Sequence, residues 1–142
     1  MKKILYVDVN PLKYPSEGSQ ERVKEEQRFI TEELSKNFSV FSVNNFLSDF
    51  VDEMLQREYE GLVTHIPPSK SRYFPYQESL SKVDRIYRLH PSLFIVAYTG
   101  ASQGDITDEE FYSKGVQGIV RKQNPEKDLP ALLSALNPLL TN

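Results

Sequence analysis

Short apolar runs that each stop at a polar residue, with helical patterns between them, constrain this chain more than any other feature. Ile4-Leu5-Tyr6-Val7 stops at Asp8, and Gly61-Leu62-Val63-Thr64 stops at His65. Leu93-Phe94-Ile95-Val96-Ala97-Tyr98 stops at Thr99, and Gly118-Ile119-Val120-Arg121 stops at Lys122. A further run covers residues 38–43. Continuous apolar runs of this length fit strands buried on both faces, as in a parallel sheet. Their alternation with helices points to an α/β fold. The expected architecture is a three-layer α/β/α sandwich on a doubly wound, five-stranded parallel sheet.

Local signals place the other elements. A loop rich in turn residues (Asn10, Pro11, Pro15, Ser16, Gly18, Ser19) precedes a charged helix over about 20–36, with Val23, Ile30 and Leu34 on one face. Asn45 is the expected N-cap of a helix to about 57, with Phe46, Phe50, Met54 and Leu55 facing inward. Three prolines exclude a regular helix over 67–76, and a helix is expected over 78–89. Thr107 and Glu110 have capping-box spacing, and Gly115 suits the position just past that short helix. Asn124-Pro125 opens the last helix, to about 136, with Pro130 expected to distort its first turn. No repeat or linker divides the chain, so 1–142 reads as one domain.

Composition narrows the function classes. The net charge of −3 gives no basic surface for general nucleic-acid affinity. With no cysteine, thiolate nucleophiles, disulfides and cysteine zinc sites are excluded. The basic start Met1-Lys2-Lys3 is followed by too short an apolar run for a signal peptide, and no run approaches the ~20 residues of a membrane span. A cytoplasmic protein without membrane association is expected.

Ligands of open parallel sheets bind at the C-terminal ends of the strands. Asp8, His65, Thr99 and Lys122 all stand there, so four polar groups are expected to meet in one cleft. Taken singly, each is no more than the polar residue with which a strand ends. Their order and spacing resemble the receiver domain of two-component response regulators, the CheY-like superfamily of flavodoxin-like folds. The resemblance covers nearly the whole chain. It is carried by Lys3-Ile4-Leu5-Tyr6-Val7-Asp8, by Phe94-Ile95-Val96-Ala97-Tyr98-Thr99-Gly100-Ala101, and by Gly115-Val116-Gln117-Gly118-Ile119-Val120-Arg121-Lys122. It implies that Asp8 matches one of two magnesium-holding acids, Thr99 the hydroxyl that binds phosphoryl oxygens, and Lys122 the lysine that pairs with the phosphoryl charge. His65 falls where the phosphate-accepting aspartate belongs.

The departures bear on function more than the matches do. Val9 replaces the second acid, His65 the acceptor, and Ile119 the aromatic switch residue; Gln123 and Asn124 separate Lys122 from Pro125. Magnesium prefers several hard oxygen ligands, so magnesium binding is expected to be weak or lost and no metal or other cofactor is expected. His65 reads as an alternative acceptor, a metal ligand with Asp8 or a pH-sensitive group. A plainer role is filling the vacated pocket. The only other histidine, His90, precedes Pro91 in a turn. A Lys122 without phosphate is expected to pair with Asp8. Arg72, Tyr73, Phe74 and Tyr76 form a candidate protein interface, or alternatively cap the core.

The resemblance thus implies a non-enzymatic, stand-alone receiver-like domain in phosphorelay signalling that contacts protein partners independently of phosphorylation. One alternative is a working receiver phosphorylated at His65 or a nearby Ser or Thr. Another is a small flavodoxin-like enzyme or ligand-binding domain using the same cleft. Gly100-Ala101-Ser102-Gln103-Gly104 lacks the lysine and hydroxyl of a P-loop.

Overall fold

The computed structural model describes residues 1–72 and 74–140. Its centre is a parallel sheet of five strands: β1 (Lys3–Val7), β2 (Ser39–Val43), β3 (Gly61–Ile66), β4 (Phe94–Thr99) and β5 (Gly118–Arg121). The order is β2-β1-β3-β4-β5, so the direction of winding reverses beside β1. That reversal opens a crevice at the C-terminal strand ends. The helices are α1 (Glu17–Leu34), α2 (Asp49–Leu55), α3 (Tyr76–Leu89), α4 (Asp108–Ser113), α5 (Pro125–Ala135) and α6 (Asn137–Leu140).

Side chains alternate across each strand and build two cores. On one face Ile4, Tyr6, Val63, Val96, Tyr98 and Val120 pack under Ile30 and Leu34 of α1 and Leu132 of α5. On the other, Leu5, Val7, Leu62, Ile95 and Ala97 pack under Val51 and Met54 of α2, Val83 and Ile86 of α3 and Phe111 of α4. The three-layer sandwich expected from the sequence is the observed fold.

Three of the boundaries that differ do so for a clear local reason, and α3 starts two residues early, at Tyr76. The α1 helix begins at Glu17, because Ser16 and Ser19 bond each other's backbone N–H and close the N-terminus earlier. Asn45 caps only a turn, accepting from the Leu47 N–H. Ser48, which accepts from the Phe50 N–H at 3.1 Å, is the N-cap of α2. That shift turns Phe50 outward, 45% exposed against Phe41, and puts Val51 in the core instead. Finally, β3 runs through His65 to Ile66 rather than stopping at Thr64.

Thr107 accepts from the Glu110 N–H as expected. The reciprocal half of that box is absent, since the Glu110 carboxylate accepts from the Tyr76 hydroxyl. Pro130 is held within α5, which continues through it to Ala135. Gly115 ends α4 with φ of +96°, and a Cβ there would come within 2.2 Å of the Tyr87 ring. Gly115→Ala is therefore expected to lower the unfolding free energy by about 2 kcal/mol, from left-handed strain plus overpacking. Urea denaturation measures it, and an unchanged midpoint would contradict this packing.

Candidate functional site

The ladder settles which strand-end residues meet. Val7 pairs with Thr64, which sets Asp8 beside His65; His65 pairs with Tyr98, and Tyr98 with Val120. Asp8, His65 and Tyr98 thus share one face, and Lys122 joins them two residues beyond Val120. Thr99 does not. It faces the α2–α3–α4 side, where its Oγ1 donates to the Ile66 carbonyl at 2.6 Å and accepts from the Ala101 N–H at 3.0 Å. The expectation that four polar groups converge is corrected to three, because side chains alternate along β4 and Tyr98, not Thr99, lies on the face of Asp8 and His65. His65 is a residue within the strand, Thr99 pairs with Ile66, and Pro67 and Pro68 follow. No carboxylate stands at the end of β3 in either register.

Asp8 is buried and fully engaged. Its Oδ2 accepts from the Tyr6 hydroxyl at 2.6 Å; its Oδ1 accepts from the Val9 N–H at 2.8 Å and from Lys122 Nζ at 3.2 Å. Lys122 Nζ also lies 4.5 Å from the centre of the Tyr98 ring, a cation–π distance. The Tyr98 hydroxyl donates to Asp128 Oδ2 at 2.6 Å, and Asp128 Oδ1 accepts from the Gln123 N–H at 2.9 Å. The result is a continuous network from Tyr6 to α5. Burial alone would raise the Asp8 carboxyl, but Lys122 first, then His65 and the bonds from Tyr6 and Val9, hold it below its usual value. Both tyrosine hydroxyls are pushed up, chiefly by burial and then by their aspartates.

Asp8 divides two cavities. One of about 370 Å³ lies between α1 and α5, with Tyr14, Arg22, Glu26 and Lys122 in its wall. The other, about 270 Å³, is lined by His65, Phe46, Phe74 and Pro67, with Asn10, Asn45 and Lys13 around it. Neither His65 ring nitrogen makes a hydrogen bond among the described residues. Burial, and then the Lys122 charge, push the imidazole down to about 3; Asp8 and the Tyr98 backbone oppose this only partly.

The β4–α4 connection is pinned from β5. Arg121 donates to the Ala101 carbonyl at 3.0 Å, to Gln103 Oε1 at 3.0 Å and to Asp108 Oδ1 at 2.7 Å, and it stacks on Phe111. Ile119 is half-buried against the core on that side. Of the candidate interface, Arg72 is exposed, whereas Phe74 turns inward, 5.7 Å from the His65 ring and 5.9 Å from the Tyr14 ring. Tyr76 packs on the core and bonds Glu110. Those two aromatics are partly buried and pack on their neighbours; Tyr73 lies outside the described residues.

Tyr6, Tyr98, Asp128 and Arg121 escaped sequence reasoning. A usable signal existed for the two tyrosines. Each sits in an apolar strand at a buried position, and a buried tyrosine hydroxyl needs a partner.

No protein-family model matches the sequence, and no curated protein matches it. Response regulators and their receiver domains are among the similar solved structures. The isolated receiver domain of RcsB from Salmonella enterica, solved with the phosphate mimic BeF3−, is 19% identical with a TM-score of 0.63, over 96% of this chain and 88% of that one. A LuxR family DNA-binding response regulator from Silicibacter pomeroyi gives 13% identity and a TM-score of 0.63, over 97% and 93%. The Thermotoga maritima response regulator DrrB gives 18% and 0.63, over 98% of this chain and 54% of its own. The fold is that of response-regulator receiver domains.

Proposed function

We propose that residues 1–142 act as one non-enzymatic receiver-like domain of a two-component pathway in the cytoplasm, contacting a protein partner without being phosphorylated. One observation carries this reading: the groups that would bind a phosphoryl moiety in the family are already engaged within the fold. Lys122 pairs with Asp8, and Thr99 uses both its donor and its acceptor within the backbone. The position after β3 supplies proline instead of a carboxylate. Magnesium binding is weak or lost in this reading, since Asp8 has Val9 as its neighbour and both its oxygens already accept hydrogen bonds. A protein partner rather than nucleic acid fits the net charge of −3.

Incubation with acetyl phosphate and magnesium at neutral pH, followed by intact-mass measurement without acid quench, tests the proposal. An unchanged mass is expected. A phosphoryl addition that disappears in His65→Ala would instead establish a working receiver with a new acceptor.

A further inference from the structure

We infer that the free edge of β2 is an interface between two copies of this chain, in which the two β2 strands pair antiparallel about Phe41 and join both sheets into one. The inference stands apart from the reading of the cleft, since it uses none of the phosphoryl-binding positions.

The edge is open and matched to a strand. β2 ends the sheet and pairs on one side only, with β1. The Ser39 N–H donates to the Lys2 carbonyl, and the Val43 carbonyl accepts from the Asp8 N–H. Residues 39, 41 and 43 therefore turn their backbone polar groups toward β1. Alternation turns those of Val40 and Ser42 outward, where no partner meets them among the described residues. Another strand satisfies such a row of N–H and C=O groups in full.

The edge also lacks the devices that keep strands apart. Natural edges carry charges, prolines or bulges, or are very short. The opposite edge, β5, has four residues and ends in Arg121. By contrast β2 is Ser39-Val40-Phe41-Ser42-Val43, and its register with β1 runs without a bulge. No charged residue or proline falls between Lys36 and Asp49, although the chain is 26% charged.

The edge is complementary to itself, which selects a second copy as the occupant. In an antiparallel pair centred on Phe41, Val40 of one copy stands opposite Ser42 of the other. Those two residues exchange both of their N–H···O=C bonds, and the two-fold axis repeats the exchange. The two Phe41 residues then face each other as a non-hydrogen-bonded pair, with ~4.5 Å between Cα atoms. Phe41 lies on the α2 side, 6.3 Å from the Phe50 ring, and both rings are 45% exposed. Pairing gathers Phe41 and Phe50 of both copies into one aromatic cluster over the axis. In the same register the uncharged residues 37–45 meet one another. No like charges oppose, and no acidic or basic strand is favoured over this one. A strand edge with one aromatic flank falls at the small end of specific interfaces, so the dimer is a reversible one.

Sedimentation equilibrium of the full chain at low salt, from about 10 μM to about 1 mM, tests the inference. A monomer–dimer equilibrium with a dissociation constant of about 10–100 μM is expected. Phe41→Lys and Phe41→Glu, both at an exposed ring, should each weaken it at least about tenfold, because like charges then face each other across the axis. An equimolar mixture of the two variants should dimerise several-fold more tightly than either alone, because opposite charges meet there. That recovery also distinguishes a lost interface from a lost fold.

A monomer mass at every concentration up to about 1 mM would leave this edge to a strand of a different protein and overturn the proposal. A dimer that either variant keeps at full strength would lie on another face and overturn it as well. So would a mixture that dimerises no more tightly than its components.

Discussion

Between about pH 7 and pH 4, His65 is expected to remove roughly 3 kcal/mol from the stability of the protein. Its folded value of about 3 lies below the unfolded value of about 6.5, so in that window the unfolded chain binds the extra proton. Stability therefore rises with pH across the window and falls on acidification. The cause is burial of the ring beside the Lys122 ammonium. Urea unfolding of the protein and of His65→Gln over this range isolates the effect, because the other carboxylates titrate in both. The stability difference between the two should shift by about 3 kcal/mol toward the variant in acid. A His65 ring that titrates near pH 6.5 by NMR would show that the imidazole is solvated and that this burial is wrong.

The second large effect lies at Lys122. Lys122→Met strands the Asp8 carboxylate, 6% exposed, with only the Tyr6 and Val9 bonds. Breaking one side of a fully buried pair costs about 3–5 kcal/mol. Lys122 is 27% exposed, so solvent screening lowers the expected loss to about 2 kcal/mol, a fall in Tm of roughly 6 °C. Asp8 is held below its usual value in the fold, so the pair stabilises above the ordinary carboxylate range and that contribution disappears as pH falls through the folded value. The penalty of the variant should shrink in acid accordingly. Adding Asp8→Asn should restore part of the stability at neutral pH, since the stranded charge is gone. Equal, additive losses in the double variant would mean that the two residues do not act as a pair.

Much of the fold was legible because the apolar runs have no alternative home. Those of β1, β3 and β4 are buried along nearly their whole length, and the spacing of all five leaves room only for crossover helices. Boundaries set by side-chain caps were less legible. Asn45 and Ser48 are both good N-caps, and nothing in the local string ranks one above the other. The choice of Ser48 is tertiary: it lets Val51 and Met54 fill the core under α2. The end of β3 was missed for a related reason. His65 looks like a stop, yet burial against Phe74 carries the strand two residues further.

The site was legible in part. The pairing of Asp8 with Lys122 follows from two opposite charges at the C-terminal ends of strands of one sheet, and the structure has it at 3.2 Å across β3 and β4. The placing of Thr99 on the other face does not follow, because it hinges on a register of one residue, and one residue reverses the face. Asp128 was hidden for a different reason. It sits in the first turn of α5 and reads as an ordinary acidic helix start, whereas its carboxylate is buried on Tyr98. Arg121 likewise read as the last residue of a strand, and only the folded chain shows it tying β5 to the start of α4.

The central claim is that Asp8, Lys122 and Thr99 are engaged within the fold and leave no place for a phosphoryl moiety. Titration of the protein with beryllofluoride and magnesium, followed through its backbone amide NMR spectrum, tests it most directly. The account predicts an unchanged spectrum at Asp8, Val9, Thr99, Ala101 and Lys122. Saturable, magnesium-dependent shifts at those amides would show that the Asp8–Lys122 pair opens to admit a phosphate mimic, and would contradict it.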